Sequence, residues 1–373
     1  MRKSASASAA LLLALAGCSG SSGGAPSPLP SDPKSVHDRL TVLDLHVDTM
    51  LLVRFLGYPF EKRNAAPSGF EPWKGHADLP RLREGGADAV FFPIVTDGFC
   101  EGAACLEDGL AFARLTREEI AKLPGDMEQA RTPADVERIV AGGRIAAVLA
   151  MEGLHPLGDD PESLRDYYDL GLRYAGLAHF NRNPYAQAAQ ARGDPEPDGL
   201  SEKGFEAVRL MNELGIIVDV AHGHPDSIRD AVAASRAPVL CSHTGVQGVY
   251  DVARNLDDAT IRAIADGGGV VSIMTATLWI GPNSLVNSLD DVLDHVDYVV
   301  DLVGIDHVAF GSDFDGFVWV PPDLKDATGY PEITRRLLER GYSEEDLRKF
   351  WSGNVLRLWR EAERVAAEMR AEE

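Results

Sequence analysis

The sequence predicts an α/β fold in which eight parallel strands form a (β/α)8 barrel, also called a TIM barrel. Eight short apolar runs follow one another along the chain, and amphipathic stretches separate them. Most of the runs are continuously apolar, as parallel strands covered on both faces are. The predicted strands are 41–45, 89–95, 145–151, 174–178, 216–221, 239–242, 270–274 and 307–311.

The stretches between these runs have helical patterns and recognisable starts. The predicted helices are 106–123, 161–170, 201–214, 225–235, 256–266 and 289–303. Asp160, Ser201 and Asp257 stand where N-cap residues belong. A doubly wound sheet is the structural alternative, but no glycine-rich phosphate turn follows the first strand, which favours the barrel.

The N-terminus has the features of an export signal. Arg2 and Lys3 precede an apolar run over 9–16. A bilayer requires about 20 apolar residues, so this run is too short to span one and indicates a cleaved signal peptide. The run ends in Leu15-Ala16-Gly17-Cys18, which resembles the bacterial lipobox, in which the cysteine is lipidated. An ordinary signal peptide with an incidental cysteine is the alternative.

Three segments follow from this interpretation. Residues 1–18 form a lipoprotein signal peptide ending at Cys18, and 19–35, rich in Gly, Ser and Pro, form a flexible tether. Residues 36–373 form one barrel domain, since such barrels contain about 250 residues plus insertions. We therefore expect an exported protein anchored by lipid to the bacterial cell envelope, on its periplasmic or extracytoplasmic face.

Composition narrows the range of partners. The formal net charge is −22 and 45% of the residues are hydrophobic. The acidic balance argues against nucleic acid and anionic lipid surfaces, so membrane contact is expected through the N-terminal lipid only. Cys100 and Cys105 are close enough in sequence for a disulfide outside the cytoplasm, although sequence does not show whether their geometry allows it. Cys241 lies in an apolar run and is expected to be a buried free thiol.

Candidate metal ligands stand at the ends of the predicted strands, where this fold builds its active sites. His46 and Asp48 are two residues apart on an extended backbone, so both side chains point the same way and can hold one cation such as zinc. The alternative is that no metal binds here and that His46 is a structural histidine hydrogen-bonded to the neighbouring aspartate. Glu152 follows the apolar run 145–151, where an unpartnered carboxylate is costly, and it could bridge two metal ions.

Three consecutive strands end on histidine, namely His179, His222 and His243, in a chain with only 10 histidines. Each alone would more often be a packed histidine than a ligand, but with the preceding set they form a constellation typical of a metal centre. Asp313, after the last strand, faces the same mouth and could take or give a proton. Arg254 could bind a substrate carboxylate with two parallel hydrogen bonds.

These residues lie in segments that resemble one family of enzymes. The segments are Asp44-Leu45-His46-Val47-Asp48, Met151-Glu152-Gly153, Asp219-Val220-Ala221-His222, 235–238 through Ser242-His243, Ala253-Arg254-Asn255 and 311–316. In this order, and over essentially the whole mature domain, the sequence is similar to the membrane (renal) dipeptidase family of zinc metallopeptidases, peptidase family M19 of the amidohydrolase superfamily. The resemblance implies a barrel with two zinc ions that hydrolyses dipeptides, often including those with a D-residue second.

The resemblance also implies a role for each site residue. His46 and Asp48 would bind one zinc, His222 and His243 the other, and Glu152 would bridge them. His179 would contact the substrate near the scissile carbonyl, Arg254 would bind the C-terminal carboxylate, and Asp313 would transfer protons. Relatives are commonly dimers, so a homodimer is possible. The chain departs from the family at Gly223-His224-Pro225, where His224 could be a spare ligand, a support behind a ligand or a pocket residue.

Two other functions fit parts of the pattern. Another binuclear amidohydrolase, such as a lactonase, cyclic amidase or phosphotriesterase-like enzyme, typically has two histidines on the first strand and a carboxylated lysine as the bridge. Here the first strand ends in His-x-Asp and the candidate bridge is Glu152. A non-catalytic solute-binding lipoprotein also fits the anchor, but the complete ligand set argues against it.

Overall fold

The computed structural model describes residues 32–65, 75–96, 100–190 and 199–372. The predicted signal peptide, the lipidation site Cys18 and nearly all of the predicted tether lie outside the described residues. The first helix begins at Pro33, slightly before the predicted start of the domain at residue 36.

A barrel of parallel strands forms the centre of the fold, as predicted. The described strands are β1 Val42–Asp44, β2 Ala87–Ile94, β3 Met127–Gln129, β4 Ile145–Met151, β5 Leu172–Gly176, β6 Ile217–Asp219, β7 Leu240–Thr244, β8 Val270–Ile273 and β9 Val308–Phe310. Eight of them pair in the order β1-β2-β4-β5-β6-β7-β8-β9, and the additional β3 pairs with the start of β4. The Leu45 N–H donates to the carbonyl of Phe310 (3.2 Å), which links the two ends of the sheet.

Helices surround the barrel. They are α1 Pro33–His37, α2 Thr49–Leu56, α3 Leu79–Glu84, α4 Gly102–Ala121, α5 Pro133–Ala141, α6 Leu164–Leu170, α7 Glu202–Leu214, α8 Pro225–Ala234, α9 Asp258–Asp266, α10 Leu289–Val303, α11 Tyr330–Glu339, α12 Glu344–Arg348 and α13 Asn354–Glu372. Ser201 and Asp257 cap α7 and α9 as predicted, and Asp160 caps a short 3-10 turn. Within the described ranges, no helix is both long and apolar enough to cross a membrane.

Alternation along the strands divides the apolar side chains between two layers. In β4, Ala146, Val148 and Ala150 point into the barrel, whereas the residues between them pack against the helices. The last helix, α13, adds Trp359 to the inner layer, where its ring centroid lies 5.8 Å from that of Phe91. Phe91 in turn stacks on Tyr174 of β5 at 5.5 Å. A column of three aromatic rings therefore fills the barrel interior.

Three strand boundaries differ from the prediction and move candidate site histidines. Strands β5 and β6 end at Gly176 and Asp219, so His179 and His222 lie in the loops beyond them rather than directly at the strand ends. Strand β7 continues to Thr244, so His243 lies within the strand. Hydropathy alone does not show where strand pairing stops, since apolar residues continue beyond β5 and β6 whereas β7 extends through the polar residues Ser242, His243 and Thr244.

The cysteines adopt the states that the sequence allowed. Cys100 and Cys105 form a disulfide, with their Cα atoms 5.3 Å apart. Cys105 belongs to the first turns of α4 rather than to a loop. Cys241 is buried and free, as predicted.

A partly buried carboxylate on β2 gives a prediction about stability. Asp88 accepts a hydrogen bond from the Val42 N–H (2.8 Å), and burial raises its pKa to about 6. A folded-state pKa above the unfolded value means that stability is lost as pH rises from about 4 to 6. Asp88→Asn keeps the acceptor and should raise the free energy of unfolding by about 1–2 kcal/mol at pH 7.5. Urea unfolding measures this, and a gain that does not shrink toward pH 4 would contradict it.

Candidate active site

Four imidazoles converge on the carboxylate of Glu152, directly after β4. Its Oε1 lies 3.0 Å from Nε2 of His222, 3.3 Å from Nε2 of His243 and 3.6 Å from Nε2 of His46. Its Oε2 lies 3.7 Å from Nε2 of His179. The barrel therefore brings side chains from β7 and from the loops after β1, β5 and β6 to a single carboxylate.

Two further carboxylates complete the cluster. Asp48 Oδ2 lies 3.5 Å from Nε2 of His46, and these two residues group with Asp313 so that one ligand atom of each lies within 4.8 Å of the others. Two more such groups share Glu152. One contains His46, Glu152 and His243, and the other contains Glu152, His179 and His222. The structure thus brings together all five predicted ligands, and His179 and Asp313 join them. These overlapping groups do not divide the ligands between two ions, and Nε2 of His222 lies 2.9 Å from Nε2 of His243.

His46 is oriented by a tyrosine from the barrel interior. Its Nδ1 lies 2.8 Å from the Tyr174 hydroxyl, which itself donates to the carbonyl of Leu45 (2.9 Å). Because the hydroxyl proton is used there, the tyrosine oxygen accepts from Nδ1–H. In the neutral imidazole this tautomer directs an unprotonated Nε2 at the carboxylates, which is the form that binds a metal.

His243 is oriented by a similar relay. Its Nδ1 lies 2.9 Å from the Ser242 hydroxyl, which donates to Oδ2 of Asp219 (2.8 Å). The serine oxygen therefore accepts from Nδ1–H, and Nε2 of His243 faces Glu152 with its lone pair available. Asp219 is itself held by the backbone N–H groups of Ser242 (2.8 Å) and Ala221 (3.1 Å).

The cluster fits divalent cations. Nε2 of His46, Oδ1 of Asp48 and Nδ1 of His222 are buried with no hydrogen-bond partner among the described residues, which is costly unless another group binds there. Burial lowers the pKa of His222 well below its usual value, so the imidazole is neutral. Burial raises the pKa of Glu152, but the nearby histidines outweigh it and hold that pKa well below its usual range. A set of imidazoles and carboxylates without cysteine suits a catalytic site for a divalent metal ion such as zinc.

Arg254 lies next to this cluster and is almost fully buried. Its Nη2 donates to the carbonyl of His243 (2.9 Å) and its Nη1 to the hydroxyl of Thr244 (3.4 Å). Its Nε has no partner among the described residues, and the guanidinium carbon lies 6.0 Å from the Trp279 ring centroid. A buried cation with an unused donor can bind a substrate carboxylate.

A cavity of about 350 Å³ opens onto the cluster. Asp48, Glu152, His179, His222 and Asp313 contribute its charged or titratable surface. The other described lining residues are Leu51, Phe55, Val95, Thr96, Phe180, Trp279, Gly316, Phe317 and Val318. Arg254 lies behind this lining, beside Trp279.

A strained turn holds Asp313 at the cavity. Asp313, Asp315 and Phe317 all have positive φ, at 64°, 70° and 57°. The Asp315 carboxylate accepts hydrogen bonds from the backbone N–H groups of His76 and Ala77. A Cβ on Gly316 would lie 2.7 Å from Oδ1 of Asp313 and 2.8 Å from Oδ2 of Asp48, so only glycine fits there. Strain of this kind is typical of functional sites.

The structure also assigns residues that the sequence left open or did not indicate. His224 caps α8, because its Nδ1 accepts from the Asp226 N–H (3.3 Å), and it belongs to none of the candidate metal groups. Of the three roles considered for His224, the structure does not support that of a metal ligand. Tyr174 and Asp219 were not predicted as site residues. Alternation along β5 could have placed Tyr174 inside the barrel, but no local signal indicates its contact with His46.

Comparison with known proteins agrees with this geometry. The profile of the membrane dipeptidase family, peptidase family M19, matches residues 32–373. The chain belongs to this family. It is therefore a hydrolase, a dipeptidase of the metallopeptidase class, as the sequence predicted.

Individual relatives cover most of the chain. It is 34% identical to the dipeptidase tcpJ of Claviceps purpurea (strain 20.1) over 337 residues, 87% of this chain and 77% of that protein. It is 35% identical to the dipeptidase aclJ of Aspergillus oryzae (strain ATCC 42149 / RIB 40) over 303 residues, 78% of this chain and 71% of that protein. A metallopeptidase from Rhodobacter sphaeroides, solved with a phosphinate mimic of the dipeptide L-Ala-D-Ala, has a similar structure. Its TM-score is 0.78 at 27% identity, covering 87% of this chain and 99% of that one.

Proposed function

We propose that this dipeptidase uses two zinc ions, with His46 and Asp48 on one, His222 and His243 on the other, and Glu152 between them. The observation that carries the proposal is the convergence of four imidazole Nε2 atoms on the carboxylate of Glu152. The unpartnered buried atoms of His46 and Asp48 support it.

The substrate follows from the family and from the ligand of one relative. The Rhodobacter sphaeroides metallopeptidase binds a phosphinate mimic of L-Ala-D-Ala. We therefore propose that this enzyme hydrolyses dipeptides and accepts a D-residue at the second position.

Asp313, His179 and Arg254 each have a different role in the proposed mechanism. When bound, the zinc ions would lower the pKa of water and polarise the peptide carbonyl. Asp313, at the cavity surface beside Asp48, would take the proton of the attacking water and give it to the leaving amine. His179, also on the cavity surface, would donate a hydrogen bond to the carbonyl oxygen as negative charge develops on it. Arg254 would bind the C-terminal carboxylate and fix the direction in which the dipeptide lies.

Side-by-side assays test this function. The purified protein should hydrolyse dipeptides in preference to simple lactones and phosphotriesters, and metal analysis should find about two zinc ions per chain. Activity should disappear on treatment with a chelator and return with zinc. Dipeptide inactivity in zinc-loaded protein would contradict the proposal. A lactonase or phosphotriesterase is disfavoured because no lysine is among the described residues that line the cavity.

Arg254→Lys gives a specific prediction about substrate binding. Lysine keeps the charge but loses the planar pair of donors, so KM for dipeptides should rise about ten-fold or more while kcat changes less. Steady-state kinetics measure this, with the exposed Arg262→Lys on α9 as the matched control. A dipeptide amide, which has no carboxylate, should show little difference between Arg254→Lys and the unchanged enzyme. An unchanged KM for free dipeptides would contradict the assigned role.

We also propose export and anchoring through Cys18. The N-terminal sequence supports this, and so does the Cys100–Cys105 disulfide, because disulfides persist mainly in oxidising compartments. Cys18→Ala should move the protein from the membrane fraction to the soluble fraction. A homodimer remains a proposal from the family resemblance, and sedimentation velocity tests it.

A further inference from the structure

One wall of the cavity exposes large apolar side chains. Phe55 is 60% exposed and Phe317 is 49% exposed, and both line the cavity with Leu51 and Val318. We call these four residues the outer wall. Aromatic side chains gathered at a concave surface indicate a binding surface more than scattered exposed residues do.

The outer wall begins next to the reacting groups. Helix α2 starts immediately after Asp48, and Leu51 and Phe55 are four residues apart on it, so they share one face. Phe317 follows Gly316, whose backbone approaches the carboxylates of Asp48 and Asp313 closely. A side chain leaving the site past these two carboxylates therefore meets the outer wall.

A second pair of aromatic lining residues lies near Arg254. The Trp279 ring lies 6.0 Å from the guanidinium of Arg254, and the Phe180 ring lies 6.3 Å from that of Trp279. If Arg254 binds the C-terminal carboxylate, the C-terminal residue of a dipeptide lies along Phe180 and Trp279. The N-terminal residue then extends past Asp48 and Asp313 toward the outer wall.

Among the described residues, the lining of the cavity contains no charged group outside the proposed catalytic set that could pair with a charged substrate side chain. Its charged or titratable lining residues in the described part of the chain all belong to the proposed catalytic set. Beyond them the lining is apolar, apart from the glycine and the hydroxyl of Thr96. A charged side chain would lose its hydration there without compensation, whereas an apolar one would bury surface together with Phe55 and Phe317.

We propose that the enzyme selects dipeptides whose N-terminal residue has a large apolar side chain, and that Phe55 and Phe317 determine this preference. The inference rests on the proposed function and adds a substrate class to it. It requires that Arg254 set the direction of the dipeptide and that the outer wall receive the first side chain.

A dipeptide series with alanine in the second position tests this inference. The first residue is Gly, Leu, Phe, Asp or Lys, and kcat/KM is measured for each. Phe-Ala and Leu-Ala should exceed the other three by about ten-fold or more. In Phe55→Ala/Phe317→Ala the ratio of Phe-Ala to Gly-Ala should fall toward one. Phe205→Ala removes an aromatic ring of similar exposure (43%) on α7, away from the cavity, and should leave the ratio unchanged.

A charge placed on the outer wall gives a second, independent readout. Phe55→Arg should raise the ratio of Asp-Ala to Phe-Ala, which a loss of folding would not do. Equal rates for all five dipeptides, or a preference unaffected by both Phe55 and Phe317 variants, would overturn the inference while leaving the dipeptidase intact. Failure to hydrolyse any dipeptide would instead contradict the proposed function, and this inference with it.

Discussion

Alanine in place of Glu152 is expected to abolish turnover and to release zinc from both positions. Four imidazoles approach this one carboxylate, at 3.0–3.7 Å. Without it each proposed cation loses a charged ligand, and the histidines surround a site with no negative charge at its centre. We expect kcat/KM for dipeptides to fall by about 10³-fold or more.

Glu152→Gln separates the charge from the volume of the side chain. Glutamine fills the same space, so a comparable loss of zinc and activity would assign the effect to the negative charge rather than to packing. Metal content is measured by mass spectrometry and folding by thermal unfolding, with the exposed Glu118→Gln on α4 as control. Glu152→Gln with two zinc ions and full activity would show that the carboxylate does not bridge them.

Asp313→Asn is expected to retain zinc and lose rate. Asparagine tolerates the left-handed backbone at this position (φ 64°) better than most residues, so the turn should keep its shape. Within the described part of the chain no donor binds the Asp313 carboxylate, so the amide breaks no hydrogen bond. An amide does not accept and return a proton at neutral pH, and kcat should therefore fall by about 10²–10⁴-fold.

The division between kcat and KM distinguishes proton transfer from binding. If Asp313 acts only in proton transfer, KM for dipeptides should change little while kcat falls, and the zinc content should stay the same. The exposed Asp301→Asn on α10 is the matched control. Full activity in Asp313→Asn would show that the assigned role is wrong, and loss of zinc would show that Asp313 is a ligand instead.

The sequence predicted those parts of the fold that have strong local boundaries. Strand β4 was predicted at its observed limits, because Arg144 and Glu152 bound a continuous apolar run. The same holds for α10, which begins after the capping residue Ser288. Strand β3 was not predicted, since three residues are too few to show a period.

Within the candidate site, the sequence predicted the residues whose side chains can bind a metal ion or transfer a proton. His46, Glu152 and Asp313 follow strands closely in sequence, and the topology of the barrel brings such positions together. Tyr174 and Ser242 carry no such signal, because their role depends on which histidine each contacts in the folded chain. The role of His224 was ambiguous for the same reason, because only its contact with the Asp226 N–H in the folded chain shows that it caps a helix.

The aromatic column inside the barrel connects a candidate metal ligand with a helix that is distant in sequence. Tyr174 orients His46 and stacks on Phe91, which in turn contacts Trp359 of α13. The position of His46 therefore depends on the packing of α13 into the barrel. We expect the site to form cooperatively with that packing, so that a chain in which α13 is detached holds the ligand residues less firmly.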